Sequence, residues 1–215
     1  VNTARGWGAQ GQFGSPIAAL LIGGRSAAPA STYVNTESWN GSAWTEVNDL
    51  NGSRYAMGGA GTQTSAIVAA GTGPSVLSET WDGSSWTEVA EVNTGRYGSV
   101  GTGSSSSDAQ IQGGESSGFK ALTEQWNGSA WTEVADLNTA RYALAGFGTT
   151  SSTQVAGGAL PSSPYYTANS ETWDGSSWTE VNNLNTARDG AGIGGSGTQT
   201  NGLAYGGESS PGSSG

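Results

Sequence analysis

The sequence predicts an all-β protein, a β-propeller built from repeated four-stranded blades. Eleven residues that contain two tryptophans and run from a Glu to a Val occur four times with few changes. Repeats that carry strand and turn signals but no helical periodicity, at intervals of about 40 to 50 residues, are typical of propeller blades. The interval is set by a second marker, Asn-[Thr/Gly]-x-Arg, whose arginines are Arg5, Arg54, Arg96, Arg141 and Arg188.

Each copy of the eleven-residue segment predicts a tight β-hairpin. Asn-Gly or Asp-Gly between aromatic and β-branched residues is the strongest short-range hairpin signal, because the favoured turn needs positive φ. The loop holds either two residues, Asn40 and Gly41, or four, from Asn40 to Ala43. In both cases the two tryptophans share one face of the hairpin, since side chains alternate with period two. The copies are Glu37 to Val47, Glu79 to Val89, Glu124 to Val134 and Glu171 to Val181.

Four strands, a to d, are expected in each unit. Strand a follows the arginine and is built from small residues, as in Tyr142 to Phe147, which suits the crowded axis of a ring. Strand b is apolar and ends at a pair of glycines or its remnant, and the tryptophan hairpin supplies strands c and d. The five b strands are expected at Ile17 to Ile22, Ala66 to Ala70, Ala109 to Gln112, Gln154 to Ala156 and Gly202 to Tyr205.

The count of strands predicts four complete blades plus a half blade in one domain, 1–215. Five a–b halves are present but only four hairpins, which places the blades at 1–50, 51–92, 93–137 and 138–184 and the half blade at 185–215. Either a five-bladed ring closes with a thin last blade, or the segment is part of a larger ring and of a longer polypeptide. The last strand b would then present an unpaired edge, which favours pairing with another chain.

The order of these features resembles the kelch repeat over the whole chain: Arg then strand a, apolar strand b then Gly-Gly, a connector, and an acidic-aromatic hairpin. This resemblance implies a β-propeller of four-stranded blades around an axis. The phrases Asn-Thr-Ala-Arg, Gly-Thr-Gln-Thr and Glu-Thr-Trp-Asp-Gly are also similar to kelch-type repeats in structural and tail-associated proteins of marine bacteriophages. That second resemblance implies a virion or extracellular location.

Composition excludes several classes of function. The chain has no Cys and no His, which removes disulfides, thiolate metal sites and the commonest metal ligand and general base, so no cofactor is expected. Seven basic and 17 acidic residues give a net charge of −10, and the basic ones are scattered, so nucleic acid is a poor partner. No apolar run approaches the roughly 20 residues that span a bilayer, so no membrane insertion is expected.

The repeated residues have two interpretations each. The hairpin tryptophans either stack on sugars or fill the space between blades, and the second is favoured because they recur at a fixed position. The five arginines either ring the axis and bind an anionic glycan, or bridge loop carbonyls and the repeated Glu to lock one blade to the next, which is again favoured. The two acids of each hairpin are expected to be scaffold, because a glycosidase needs one special carboxylate pair.

Variation between units points to a candidate binding face in the b–c connectors, because a site on a repeat scaffold lies where the units differ. The resemblance to kelch repeats implies that these connectors share one propeller face with the Asn-x-x-Arg turns. Alternatively, they are ordinary solvated loops whose aromatic residues pack on the blade edges. The candidate ligand-binding residues are Arg25, Tyr33, Phe119, Lys120, Tyr165 and Tyr166.

The sequence therefore predicts a non-enzymatic binding or structural module, exposed on a virion or outside a cell. It would recognise host-surface carbohydrate or a partner protein through loops on one face, and could form a homo-oligomer or join a larger assembly. The alternatives are a glycan-active, sialidase-like enzyme and a purely architectural spacer. Copper-radical oxidases of the kelch type need His and Cys, and the sialidase Asp-box is matched only in part by Asp82 to Trp86, where the spacing is wrong.

Overall fold

The computed structural model describes residues 1–27, 30–189 and 194–209, and these form only antiparallel sheets. Four sheets have four strands and one has two, so the predicted all-β propeller with four complete blades and a partial fifth is confirmed. Within each sheet, neighbouring strands are consecutive in the chain. No helix able to cross a membrane occurs in the described part of the chain.

The strands follow the repeat. Blade 1 contains β1 (Gly14–Ser15), β2 (Ala18–Ile22), β3 (Thr36–Trp39) and β4 (Trp44–Val47). Blade 2 contains β5 (Gly58–Gly61), β6 (Ala66–Ala69), β7 (Ser78–Trp81) and β8 (Trp86–Val89). Blade 3 contains β9 (Val100–Ser105), β10 (Asp108–Gln112), β11 (Thr123–Trp126) and β12 (Trp131–Glu133). Blade 4 contains β13 (Ala145–Thr149), β14 (Ser152–Ala156), β15 (Ser170–Trp173) and β16 (Trp178–Val181). The half blade contains β17 (Gly194–Thr198) and β18 (Asn201–Tyr205).

The hairpin register settles the length of the c–d loop. Trp39 lies directly opposite Trp44, with ring centroids 5.5 Å apart, so the loop holds four residues rather than two. The side-chain oxygen of Asn40 accepts the backbone N–H groups of Ser42 (3.0 Å) and Ala43 (2.9 Å). An Asn or Asp at this position therefore satisfies the turn's donors, which explains its recurrence in all four hairpins.

The tryptophans fill the space between blades, as favoured from the sequence. Trp81 packs with Leu20 and Ile22 of the preceding blade, and it is 2% exposed. The indole N–H of Trp86 donates to the hydroxyl of Thr36 in the preceding blade at 3.0 Å. Large aromatic side chains supply much of the burial that a Gly-rich chain otherwise lacks.

Strand a is built from small residues because backbones meet at the axis. A Cβ added to Gly101 would lie 2.1 Å from the backbone nitrogen of Gly59, in the neighbouring blade. A Cβ on Gly195 would likewise lie 2.4 Å from the carbonyl oxygen of Gly146. No larger residue fits where two backbones pack this closely.

The ring closes at the axis but stays open at the rim. Phe13 forms a parallel bridge with Gly61 of blade 2, which joins the first two units. On the other side the Gln12 side chain meets the half blade, and when its amide is oriented to satisfy both groups, its oxygen accepts the N–H of Gly197 at 2.6 Å. Strand β18, in contrast, has no neighbour on its outer side within the described residues. Five inner strands thus surround one axis, while residues 1–27, 30–189 and 194–209 contain no outer strands for the fifth blade.

We predict that Gly101→Ala destabilises the protein by about 3 kcal/mol, because the new methyl group meets backbone atoms that cannot move aside. The control is Gly52→Ala, at a position where a Cβ meets nothing within 4 Å. It should change the free energy of unfolding by less than about 0.5 kcal/mol. Denaturant unfolding measures both, and equal effects would contradict close backbone packing at the axis.

Candidate functional site

The repeating arginines form buried ion pairs with the first Glu of each hairpin. Arg5 lies 2.7 Å from Glu37, and Arg96 lies 2.5 Å from Glu124. Arg54 with Glu79 and Arg141 with Glu171 form the equivalent pairs in the other two blades. Every side chain in the four pairs is at most 4% exposed. These four arginines are therefore structural and do not line an anion-binding ring.

Each arginine also fixes the surrounding loops. Arg54 donates from Nη1 to the carbonyl oxygens of Ala70 (3.2 Å) and Leu77 (2.8 Å), while its own carbonyl accepts the N–H of Gly24 in the preceding blade (2.9 Å). The Glu79 carboxylate accepts the N–H of Asn51 at 2.8 Å. The side chain thus organises its own blade, and the arginine backbone joins that blade to the one before.

The Glu37 carboxylate shows the electrostatics of such a pair. Burial alone would raise the pKa of Glu37, but the N–H donors of Asn2 and Thr3 and the Arg5 guanidinium outweigh it. The pKa of Glu37 is consequently held below its usual value. The second acid of this hairpin, Glu46, is exposed and accepts a hydrogen bond from Asn35 at 2.8 Å, so the two acids lie in different environments.

A ladder of backbone hydrogen bonds runs around one end of the axis. Ala56 donates to Trp7 O at 2.7 Å, Gly98 donates to Ala56 O at 2.7 Å, and Ala143 donates to Gly98 O at 2.8 Å. All four residues have positive φ, between 53° and 64°, although only one is a glycine. Each of the four lies two positions after a repeating arginine. In units two to four, the residue between the arginine and the ladder residue is a tyrosine, and the ladder therefore brings this tyrosine to the axial opening.

Aromatic rings from different units meet at this opening. Trp7 of the first unit lies 6.2 Å from Tyr142 of the fourth, and Tyr97 and Phe119 of the third each lie 5.6 Å from Tyr142. The guanidinium of Arg25 lies 5.6 Å from the Trp7 ring and 4.8 Å from that of Tyr55. We call this cluster the axial mouth: Trp7, Arg25, Tyr55, Tyr97, Phe119 and Tyr142.

Carboxylates stand at the rim of the axial mouth. The Tyr97 hydroxyl donates to Glu115 at 2.8 Å, and burial together with this carboxylate raises the pKa of Tyr97 to about 12. Burial, then the nearby charge of Glu208, raises the pKa of Asp189 to about 6. The opening therefore combines half-buried aromatic faces with hydrogen-bond acceptors.

The structure brings together only some of the candidate residues predicted from the sequence. Arg25 and Phe119 belong to the axial mouth, and Tyr166 lies beside it with its hydroxyl 3.5 Å from Glu208. The side chain of Tyr165 is 54% exposed and makes no aromatic contact with the mouth.

Two further candidates have a structural use in their backbone. The carbonyl of Tyr33 accepts the N–H of Arg54 (3.4 Å), and that of Lys120 accepts the N–H of Arg141 (3.1 Å). They occupy equivalent positions in units one and three. Neither side chain has an aromatic or cation–π partner among the described residues.

Four residues of the mouth were not predicted from the sequence: Trp7, Tyr55, Tyr97 and Tyr142. A signal was present for the three tyrosines, because units two to four place a Tyr directly after the repeating arginine, where units one and five have Gly6 and Asp189. Trp7 lies one position further along and has no counterpart in the other units. Among residues 1–27, 30–189 and 194–209, no group of three or more acidic side chains could hold a metal ion.

Comparison with known proteins supports the fold. No family model and no curated protein sequence matches the chain. Among solved structures, the chain is similar to YjhT, with a TM-score of 0.75 over 92% of this chain and 76% of that chain, at 13% sequence identity. A likeness at this level of identity shows the propeller fold alone.

We predict that Glu171→Gln destabilises the protein by about 3 kcal/mol or more, because it leaves the charge of Arg141 buried without its counter-ion. Glu180 on the same hairpin is exposed, and Glu180→Gln should change stability by less than about 0.5 kcal/mol. Thermal and denaturant unfolding of the two variants checks this. Equal effects would show that the pair is not the constraint described above.

We predict a pH-dependent effect of Asp189→Asn. The folded-state pKa of Asp189 is raised from 3.8 to about 6, so its protonated form is favoured in the fold. The stabilisation linked to that proton is complete below about pH 4 and lost as the pH rises through 6. The midpoint of unfolding of the Asn variant should therefore rise relative to the parent between pH 4 and pH 7. A difference that is constant over this range would contradict the shift.

Proposed function

We propose that the chain is a non-enzymatic binding module that recognises carbohydrate at the axial mouth. The observation that carries this proposal is the convergence of three aromatic rings, Trp7, Tyr97 and Phe119, on Tyr142 at the end of the axis. All four side chains are partly exposed, and the Phe119 ring is stacked on that of Tyr142.

The chemistry of the mouth fits a sugar. Ligand sites are concave surfaces lined by aromatic side chains with a few polar groups that fix orientation. Aromatic faces pack against the C–H faces of a sugar ring, and carboxylates such as Glu115 and Glu208 accept hydrogen bonds from its hydroxyl groups. Because the rim is acidic and the chain carries a net charge of −10, an uncharged glycan is favoured over a sialylated or sulfated one.

The pairing of the arginines favours binding over hydrolysis. A sialidase-like reaction needs a cluster of arginines, and four of the five repeating arginines are held in buried pairs with Glu. Arg25 is the one cationic residue of the axial mouth among the described residues, and its guanidinium lies over two aromatic rings. Turnover of a fluorogenic sialoside by the purified chain would overturn this part of the proposal.

We also propose that the chain is of the kelch type and is displayed on a virion or another extracellular surface. The ordered repeat phrases support the first statement. The similarity of those phrases to phage structural and tail-associated repeats supports the second. Attachment to a larger assembly is compatible with the open fifth unit.

We predict that Phe119→Ala weakens binding of the best ligand on a glycan array by about tenfold, or 1.4 kcal/mol, because one stacking face of the mouth is lost. The control is Ile17→Ala, a 73% exposed side chain in an a–b turn at the opposite end of the blades. It should leave the glycan profile unchanged.

The double variant Tyr165→Ala with Tyr166→Ala tests whether the connectors beyond the mouth contribute to binding. Loss of binding in this variant, with Phe119→Ala unaffected, would move the site away from the axis. Absence of glycan binding by the folded parent at high protein concentration would refute the carbohydrate proposal.

A further inference from the structure

The fifth unit begins like the other four. The side-chain amide of Gln199 donates to Trp173 O in blade 4 at 2.7 Å, as Gln63 donates to Trp39 O in blade 1 at 2.6 Å. Gly158 donates to Arg188 O at 2.8 Å, which repeats the backbone bond between consecutive units. The half blade is therefore seated on blade 4 in the regular geometry.

The cation of this unit is already oriented for a partner that the described residues do not supply. Arg188 donates from Nη1 to Gly206 O at 2.7 Å, just as Arg141 donates from Nη1 to Gly157 O at 3.1 Å. Nη2 of Arg141 bonds to Glu171, whereas Nη2 of Arg188 has no acceptor within the described part of the chain. The position of the missing carboxylate is thus defined by the preceding unit.

Apolar side chains are exposed on the half-blade side of the gap. Leu203 and Tyr205 on β18 are 70% and 56% exposed, while Leu20 and Ile22, at the matching positions of β2, are 7% and 1% exposed. Val181 on the last strand of blade 4 is 37% exposed, although the corresponding valines of the other blades pack against a core. This wall has the surface of a blade interior.

The opposite wall of the gap is the face of blade 1. Its hairpin tryptophans, Trp39 and Trp44, are only half-buried, whereas the pairs in blades 2 to 4 are at most 7% exposed. Trp86 and Trp131 donate their indole N–H to a hydroxyl of the preceding blade, but that of Trp44 has no acceptor among residues 1–27, 30–189 and 194–209. Nearer the axis, a groove of about 280 Å³ lies between the inner strands of blade 1 and the half blade, lined in part by Ala19, Ser196 and Tyr205.

We propose that this gap is a docking site for an acidic, tryptophan-bearing β-hairpin from outside residues 1–215. The first strand of that hairpin pairs with the outer edge of β18 and places a Glu on Arg188. A Ser or Thr of the same strand accepts the indole N–H of Trp44. Its two tryptophans pack against blade 4, over Val181, as Trp81 and Trp86 pack against blade 1. Trp39 and Trp44 of blade 1 then cover Leu203 and Tyr205, as Trp81 and Trp86 cover Leu20 and Ile22. Addition of strands to a free sheet edge is a common mode of recognition.

The occupant is not a second copy of this chain, because each of its four hairpins is already paired within a blade and each first Glu is bonded to its own arginine. Residues 210–215 contain neither Glu nor Trp, so they do not supply the hairpin either. The site lies at the rim of the ring, and its occupation is independent of the proposed glycan binding at the axis.

The probe is a synthetic peptide with the sequence of residues 168–183, which carries the blade 4 hairpin, titrated into the ¹⁵N-labelled chain. We expect saturable binding that shifts the β18 amide signals and the Trp44 indole signal. A peptide with Glu171→Gln should bind at least about tenfold more weakly, because the carboxylate for Arg188 is lost. Arg188→Ala in the protein should have the same effect, and Lys120→Ala, which removes a distant positive charge, should have none.

Three results would overturn the proposal: no saturation up to about 1 mM peptide, equal affinity of the Glu171→Gln peptide, or shifts at the axial mouth in place of β18. A dimer of the chain alone, with Trp44 protected from solvent, would also overturn it by identifying a second copy as the occupant.

A second measurement covers the case in which the short peptide does not form a hairpin in water. The same sequence is attached after Gly215 through a flexible Gly/Ser linker, and thermal unfolding is compared with a fusion whose hairpin Glu and both Trp are replaced by Gln and Ser. The intact fusion should unfold at a higher temperature. Equal midpoints would overturn the proposal.

Discussion

The ion pair between the repeating Arg and the first Glu of each hairpin is the interaction on which the rest of the structure depends. In blade 2, Arg54 and Glu79 join the entering loop to strand c, and the Arg54 carbonyl joins the blade to the preceding one. A buried ion pair is not by itself a large net source of stability, because both charges are desolvated. Its effect here is positional. Loss of one partner leaves a buried charge, so the loop, the strand and the neighbouring blade are held in one arrangement.

The dependence of each unit on a hairpin Glu also explains why the ring is closed at its axis and open at its rim. Strand a needs only small residues and backbone contacts, which all five units provide, and the Gln12 amide completes the circle. The outer half of a blade needs a hairpin with Glu and two tryptophans, and four hairpins serve five units. Arg188 consequently has no carboxylate partner among the described residues, and the pair Trp39 and Trp44 is only half-buried. These residues lie on opposite walls of one gap. A chain that is only 34% hydrophobic concentrates its burial in these tryptophan pairs, so an absent pair leaves apolar surface exposed.

The periodicity of the sequence alone predicted the architecture, because turns, an apolar strand and two tryptophans recur at fixed spacing along the chain. The shared face of Trp39 and Trp44 followed from alternation, but the loop length did not, since it depends on which N–H groups Asn40 accepts. The axial mouth was predicted only in part, through Arg25 and Phe119. Trp7 and Tyr142 are neighbours because the ring is narrow. The spacing of residues within a unit does not predict a contact between units one and four.

The most direct test of this account is the NMR of the arginine guanidinium groups in the folded chain. Buried hydrogen bonds slow both rotation and hydrogen exchange of the Nη–H groups. Four arginines, Arg5, Arg54, Arg96 and Arg141, should therefore give resolved, slowly exchanging signals, while Arg25 and Arg188 give averaged ones. Averaged signals for all six would contradict the structural role of the pairs. A slowly exchanging Arg188 in the isolated chain would contradict the open fifth unit.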